Sequence, residues 1–193
     1  QAVLAVSGIN LFLSAMITVA LPYLVTEVLP LEAAQANRLY GYAQGALAAG
    51  GLAGGICAGI FARRLSVQKA GNLIVLSAAA LFPVAAALLV SSSGITVYVI
   101  LTVCCFIVMT CCTMFTVQML SFFQTVTPPN LLGKVIAVIM TIAMCAQPFG
   151  NALYGALFEI CGGMEYAVVL FAAAVSLVIA VGMRGIFKHF SMS

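Results

Sequence analysis

The sequence has very few charged side chains, no aspartate and no tryptophan. Charged residues make up 6% of its 193 residues, whereas hydrophobic residues make up 65%. An ordinary soluble domain has roughly 25% charged and about 45–50% apolar residues. The shortage of charge therefore excludes a soluble domain and indicates an integral membrane protein.

Long uninterrupted apolar runs occupy most of the chain. Each run is close to the roughly 20 residues that a helix needs to cross the hydrocarbon core of a bilayer. Short alternating strands, which a membrane β-barrel requires, do not fit such runs. We number the runs span 1 to span 6 and predict an all-α integral membrane protein, a single six-helix transmembrane bundle over residues 1–193. The predicted spans cover residues 3–26, 39–62, 70–90, 95–123, 135–158 and 166–187.

The first run is too long for the core of a signal peptide and has no basic region before it, so we interpret it as a true span. The chain also begins at Gln1 without an initiator methionine. We expect it to be a piece of a longer protein.

The few charges predict the orientation of the bundle. Threading six spans puts one set of basic residues on one side of the membrane: Arg63, Arg64, Lys69, Lys134, Arg184 and Lys188. The other side receives Arg38 and the four acidic residues, which are Glu27, Glu32, Glu159 and Glu165. Because cytoplasmic loops carry the excess of lysine and arginine, the first side is cytoplasmic. We therefore expect both termini inside, in the plasma (inner) membrane.

The same loops indicate an internal repeat. The loop after span 1 carries Glu27 and Glu32, whereas the loop after span 4 carries Lys134. The loop after span 2 is basic, whereas the loop after span 5 is acidic. Equivalent loops then lie on opposite sides of the membrane, as in transporters with inverted-topology repeats. We predict that the six transmembrane helices form two inverted three-helix repeats.

Polar side chains recur at helical spacing on spans 1, 4 and 5, whereas spans 3 and 6 have few. A polar group at mid-membrane depth needs a partner or water. We propose these as substrate-binding residues: Asn10, Ser14, Thr18, Thr110, Thr113, Gln147 and Asn151. The alternative is that they bond to neighbouring helices or to the backbone. Met140 and Met144 would add an adaptable apolar wall.

Glycines crowd one sector of span 2, and span 5 has a smaller set. In lipid, helices associate through small residues that let backbones approach closely. Such a surface suits either static helix packing or a moving interface between two bundles. The residues predicted to pack between bundles are Gly41, Gly45, Gly55, Gly59, Pro148, Gly150 and Gly155.

Three stretches resemble a known family. TPPNLLGKVIAV (127–138), with Gly133 and Lys134, and QPFGNALYGALFE (147–159) resemble the entry and the body of the eleventh helix of major facilitator superfamily transporters. GIFARRLSVQK (59–69) is similar to that family's cytoplasmic loop motif between helices eight and nine. Gly59, Phe61, Ala62 and Arg64 match this motif, whereas Arg63 replaces its aspartate and Ser66 its second glycine. Lys69 is a further basic residue of the same loop.

The whole chain thus resembles the C-terminal six-helix half of such a transporter, in the drug, macrolide and siderophore efflux branch. The resemblance implies alternating access, with spans 1 and 4 lining the cavity, spans 2 and 5 contacting the missing N-terminal six-helix half, and spans 3 and 6 facing lipid. The implied partners are the lipid bilayer, that missing half and a small-molecule substrate, with no cofactor and no nucleic acid. If the parent is a proton-driven antiporter, its titrating group lies in the missing half.

Other functions remain as alternatives or are excluded. The spans lack the cluster of acid, base and nucleophile that an enzyme needs at membrane depth. Four of seven cysteines lie in span 4, where thiols could bind Cu(I), but apolar surroundings favour cysteine as a small hydrophobe, and we expect no metal site. A second copy could replace the missing half in a homodimeric carrier, or the chain could be a non-transporting scaffold.

Overall fold

The computed structural model describes residues 7–61, 67–91 and 93–189, without the side chains of Asn10 and of residues 67–70 and 183–189. Every regular element in these ranges is a helix, and six helices are long and apolar enough to cross a membrane. The predicted helical membrane fold with six spans is therefore confirmed. Five spans are single segments: span 1 Ser7–Val28, span 2 Ala33–Phe61, span 4 Gly94–Val126, span 5 Leu132–Ile160 and span 6 Glu165–His189.

Span 3 consists of two helices, Val67–Ala79 and Leu81–Val90, with Ala80 in a turn between them. Pro83 lies in the first turn of the second helix. Proline has no N–H group, so it cannot bond to the carbonyl of Ala79. The single helix predicted over residues 70–90 is therefore interrupted.

The helices extend beyond several of the predicted apolar runs. Span 2 begins at Ala33 instead of residue 39, and span 5 begins at Leu132 instead of residue 135. The prediction followed hydrophobicity, whereas helix formation also depends on propensity. Residues 33–36 read AAQA, and alanine and glutamine are good helix formers.

Span 1 contains two π-helical segments, Asn10–Ser14 and Leu24–Val28, on either side of the α-helix Ala15–Tyr23. The second segment ends with a bond from the Leu29 N–H to the Leu24 carbonyl at 2.9 Å. Single π turns inside α-helices are rare and occur frequently at functional sites. Span 1 thus differs from the regular helix that its apolar pattern predicts.

Spans 2 and 4 form the most extensive helix pair, and they run parallel. Gly50 faces the backbone of Phe106, and Gly54 faces the backbone of Thr110. Residue numbers increase together along the two helices, so both cross in the same direction. The Tyr98 hydroxyl adds a hydrogen bond of 2.9 Å to the Leu39 carbonyl between these spans.

Spans 1 and 5 form a second parallel pair. Gly150 packs against Leu11, and the rings of Phe158 and Tyr23 meet with centroids 5.0 Å apart. The fully buried Tyr154 donates a hydrogen bond of 2.8 Å from its hydroxyl to the Phe12 carbonyl, inside the first π segment. Since short loops join successive spans, the two parallel pairs agree with six helices that alternate in direction.

Spans 3 and 6 pack against each other, and span 3 also packs against span 4. Their contact buries small and branched side chains such as Ile74, Ala78, Val169 and Ala173. Spans 2 and 5 are the least covered helices, with 17% and 11% of their most apolar windows buried, against 53% for span 1. A groove lined by residues of spans 1, 2, 4 and 5 lies on the same side of the bundle as spans 2 and 5, and we call this side the open face.

Candidate functional site

A groove of about 650 Å³ lies on this open face, between spans 1, 2, 4 and 5. Thr18 and Gln147 lie near the middle of their helices, so the groove is at mid-span depth. Its volume lies within the roughly 300–1,000 Å³ typical of small-molecule sites. We call it the polar groove after the polar residues that line it, which are Ser14, Thr18, Gln44, Thr113, Thr116 and Gln147.

A weak hydrogen bond connects spans 1 and 5 across the polar groove. The Gln147 side-chain NH₂ donates to the Thr18 hydroxyl at 3.5 Å, which is longer than the usual distance of about 2.7–3.2 Å. The Thr18 hydroxyl donates to the Ser14 carbonyl at 2.9 Å. A ligand can replace the long contact at little cost, because the net free energy of an ordinary hydrogen bond is only about 1 kcal/mol.

The structure brings together four of the residues predicted to bind substrate: Ser14, Thr18, Thr113 and Gln147. Thr110 lies elsewhere, because its hydroxyl is 2.8 Å from the Phe106 carbonyl and 3.1 Å from the Gly50 carbonyl. It connects span 4 to span 2, which is the packing role considered as the alternative. The side chain of Asn10 is outside the described residues.

Asn151 lies one helical turn after Gln147 and does not line the polar groove. Its side-chain oxygen is buried, and no described residue donates a hydrogen bond to it. An unsatisfied buried acceptor costs roughly 1–3 kcal/mol. Helix packing within the described chain therefore does not account for this amide.

Sequence reasoning missed Gln44, which the glycines around it on span 2 obscured. Its side-chain NH₂ donates to the Tyr40 hydroxyl at 2.7 Å, and the residue lines the polar groove. An amide carries two donors and an acceptor oxygen that must be satisfied. A glutamine within an otherwise apolar span was the available signal.

A smaller cavity of about 210 Å³ lies between spans 4 and 5 and shares Thr116 and Gln147 with the polar groove. The rest of its lining is apolar and includes Met119, Met140 and Met144. We call it the methionine cavity. Met140 and Met144, proposed as an apolar wall, therefore lie directly beside Gln147.

The small residues of span 2 form two surfaces with different surroundings. Gly50 and Gly54 face span 4, whereas a Cβ atom added at Gly55 would meet nothing within 4 Å. The same is true at the other glycines of the open sector, which are Gly41, Gly45 and Gly59. One half of the small surface thus packs on span 4, and the other half has no neighbour in the described chain.

The predicted small residues of span 5 are also divided. Gly155 has open space around it, and Pro148 is exposed. Gly150 instead packs against Leu11 and Ala15 of span 1, so its small size serves contact within the bundle. This differs from the predicted packing between bundles.

The residues predicted to form the cytoplasmic loop motif are only partly described. Gly133 and Lys134 are exposed at the start of span 5, and Gly59 is exposed near the end of span 2. Arg63 and Arg64 lie outside the described residues, as does the side chain of Lys69.

Among the described residues, those that line the polar groove and the methionine cavity include no carboxylate, amine or imidazole. Within the described ranges, no three histidine, cysteine, aspartate or glutamate side chains are placed to hold a metal ion. The two sites therefore offer hydrogen bonds and apolar contacts.

Comparisons of the chain with protein families, curated proteins and solved structures found no match.

Proposed function

We propose that the chain is the C-terminal half of a secondary-active transporter of the major facilitator type, which exports small amphipathic molecules by alternating access. The observation that carries the proposal is the polar groove, a mid-span site on the open face of a six-helix bundle. Transporters bind substrate near the bilayer midplane, at the interface between repeats or bundles. The proposal places the bundle in the plasma membrane with both termini cytoplasmic, as the basic loops predict.

The packing of the helices supports two inverted repeats of three spans. In such a repeat, span 1 corresponds to span 4, span 2 to span 5 and span 3 to span 6. The pair formed by spans 2 and 4 therefore corresponds to the pair formed by spans 5 and 1. Both pairs run parallel and meet at a glycine, Gly50 against Phe106 and Gly150 against Leu11. A pseudo-two-fold axis in the membrane plane accounts for this correspondence.

The uncovered helices support a missing partner bundle. Spans 2 and 5 are the least buried, and Gly55 and Gly155 present small surfaces with nothing against them. In lipid such surfaces favour close helix contact. A second six-helix bundle on this face would cover them and close the polar groove between the two halves.

The experiment is an export assay on the whole protein in cells, with a neutral fluorescent naphthylamine dye as substrate. We expect Gln147→Ala to raise dye accumulation toward that of cells without the protein, because the variant loses an amide at the centre of the polar groove. Removing a hydrogen bond that a site is built to make typically costs about 1–3 kcal/mol, or roughly 5- to 150-fold in affinity.

The matched control is Gln124→Ala on span 4, since Gln124 is exposed and does not line the groove. It should export the dye like the unmodified protein. Equal export by the Gln147 and Gln124 variants would contradict the proposed role of the groove.

A further inference from the structure

The polar groove and the methionine cavity meet at two residues, Gln147 and Thr116, which line both. We propose that the methionine cavity holds the aromatic or short alkyl group of a neutral substrate, while Gln147 and Thr116 bind the polar group attached to it. This inference rests on the proposed function and names the substrate class: small uncharged aryl or alkyl alcohols and amides.

The walls of the methionine cavity suit an apolar group. Met119, Ile139 and Ala143 are almost fully buried, with exposed fractions of 2%, 7% and 7%. Methionine side chains are flexible and polarisable, and they adapt to aromatic rings of different shape. An apolar cavity of about 150 Å³ is enough to bind benzene, so about 210 Å³ accepts one aromatic ring or a branched alkyl group.

The junction of the two sites supplies both a donor and an acceptor. The amide of Gln147 can donate and accept, and its 3.5 Å contact with Thr18 is easily replaced. The Thr116 hydroxyl donates to the Cys112 carbonyl at 2.9 Å, which leaves its oxygen free to accept. A substrate hydroxyl or amide at this point can therefore satisfy both residues.

The absence of charge in the two linings determines the charge of the substrate group bound there. Burying an ionised group without a partner is far more costly than burying a hydrogen-bonded neutral group. In the part of the chain that the structure describes, neither lining has a carboxylate, amine or imidazole to act as a counter-ion. The part of the substrate that this chain binds is thus neutral.

The test uses the whole protein in lipid nanodiscs and a benzyl alcohol that carries a photoreactive diazirine. We expect labelling of Met119, Met140 or Met144 that saturates with concentration and that unlabelled benzyl alcohol prevents. Lipid-facing residues should instead take up label in proportion to concentration. The labelled positions are found by mass spectrometry of the peptides.

Two variants test the cavity in opposite directions. Ala143→Leu fills it and should weaken saturable labelling about tenfold or more, since a single methylene in an apolar pocket changes discrimination by roughly 10–200-fold. The matched control is Ala137→Leu on the same helix, where the side chain is exposed and outside the lining. Met140→Ala enlarges the cavity and should shift preference toward a naphthyl alcohol, which keeps the test valid if the leucine variant does not fold.

The outcomes separate this inference from the proposed function. Labelling that never saturates, or that is unchanged in both cavity variants, would overturn the inference. If Gln147→Ala still abolishes dye export in that case, the proposed function survives without the inference. If the cavity variants change labelling while Gln147→Ala exports dye normally, the cavity binds ligand but the transport function fails.

Discussion

Replacing Gly54 by leucine should prevent span 2 from packing on span 4, whereas the same change at the adjacent Gly55 should leave the bundle folded. A Cβ atom at Gly54 would lie 2.5 Å from the Thr110 carbonyl oxygen and 2.8 Å from the Thr113 Cβ. The carbonyl belongs to a helix backbone and cannot move aside alone. Overpacking a closely packed site costs about 1–3 kcal/mol and occasionally more, so we expect a loss near or above that upper value.

The measurement is the free energy of unfolding in mixed micelles as the fraction of dodecyl sulfate is raised. The free energy of unfolding of the Gly55→Leu variant should lie within about 1 kcal/mol of that of the unmodified protein or be higher, because leucine favours a helix by roughly that amount over glycine. Equal destabilisation by the two variants would contradict the assignment of the two surfaces of span 2.

The same Gly55→Leu variant should export much less dye than the unmodified protein. Its side chain would project from the open face, where the proposed partner bundle slides during alternating access. A leucine inserted into a close helix contact costs about 1–3 kcal/mol, which corresponds to roughly 5- to 150-fold in rate. We therefore expect a folded protein whose dye export is reduced at least about fivefold.

Gly182→Leu on span 6 provides the control, since Gly182 is also exposed and also has nothing within 4 Å of an added Cβ. It should export the dye normally, because lipid covers spans 3 and 6 in the proposed transporter. Normal export by the Gly55 variant would show that the open face of span 2 takes no part in export. If the Gly55 variant instead separates a dimer of identical chains, the homodimeric carrier replaces the half-transporter.

Much of the fold was predictable from the sequence because a membrane imposes a length and an apolar composition on each helix. The six runs identified all six spans in this way. Local backbone geometry was less accessible, since an apolar pattern does not distinguish an α turn from the π segments Asn10–Ser14 and Leu24–Val28. It also contains no information on contacts between helices such as that of Tyr154 with the Phe12 carbonyl.

The candidate site was predictable only in part. A helical wheel shows on which side of its helix a residue lies, but it does not show which other helix packs against that side. Ser14, Thr18, Thr113 and Gln147 meet in the polar groove as the wheels indicate. Thr110 carries the same kind of side chain but faces Gly50. The relative rotation of spans 2 and 4 decides this, and it follows from the close approach at the glycines.

In the proposed mechanism, the polar groove is the pathway that opens to each side of the membrane in turn. The direct measurement is labelling of Thr18→Cys by a membrane-impermeant maleimide, in the whole protein with its native cysteines replaced by alanine. Thr18 is exposed in the groove, near the middle of span 1. We predict that reagent added to either side in separate experiments labels the cysteine and that the naphthylamine dye slows both reactions. Labelling from neither side or from one side only would contradict alternating access through this groove.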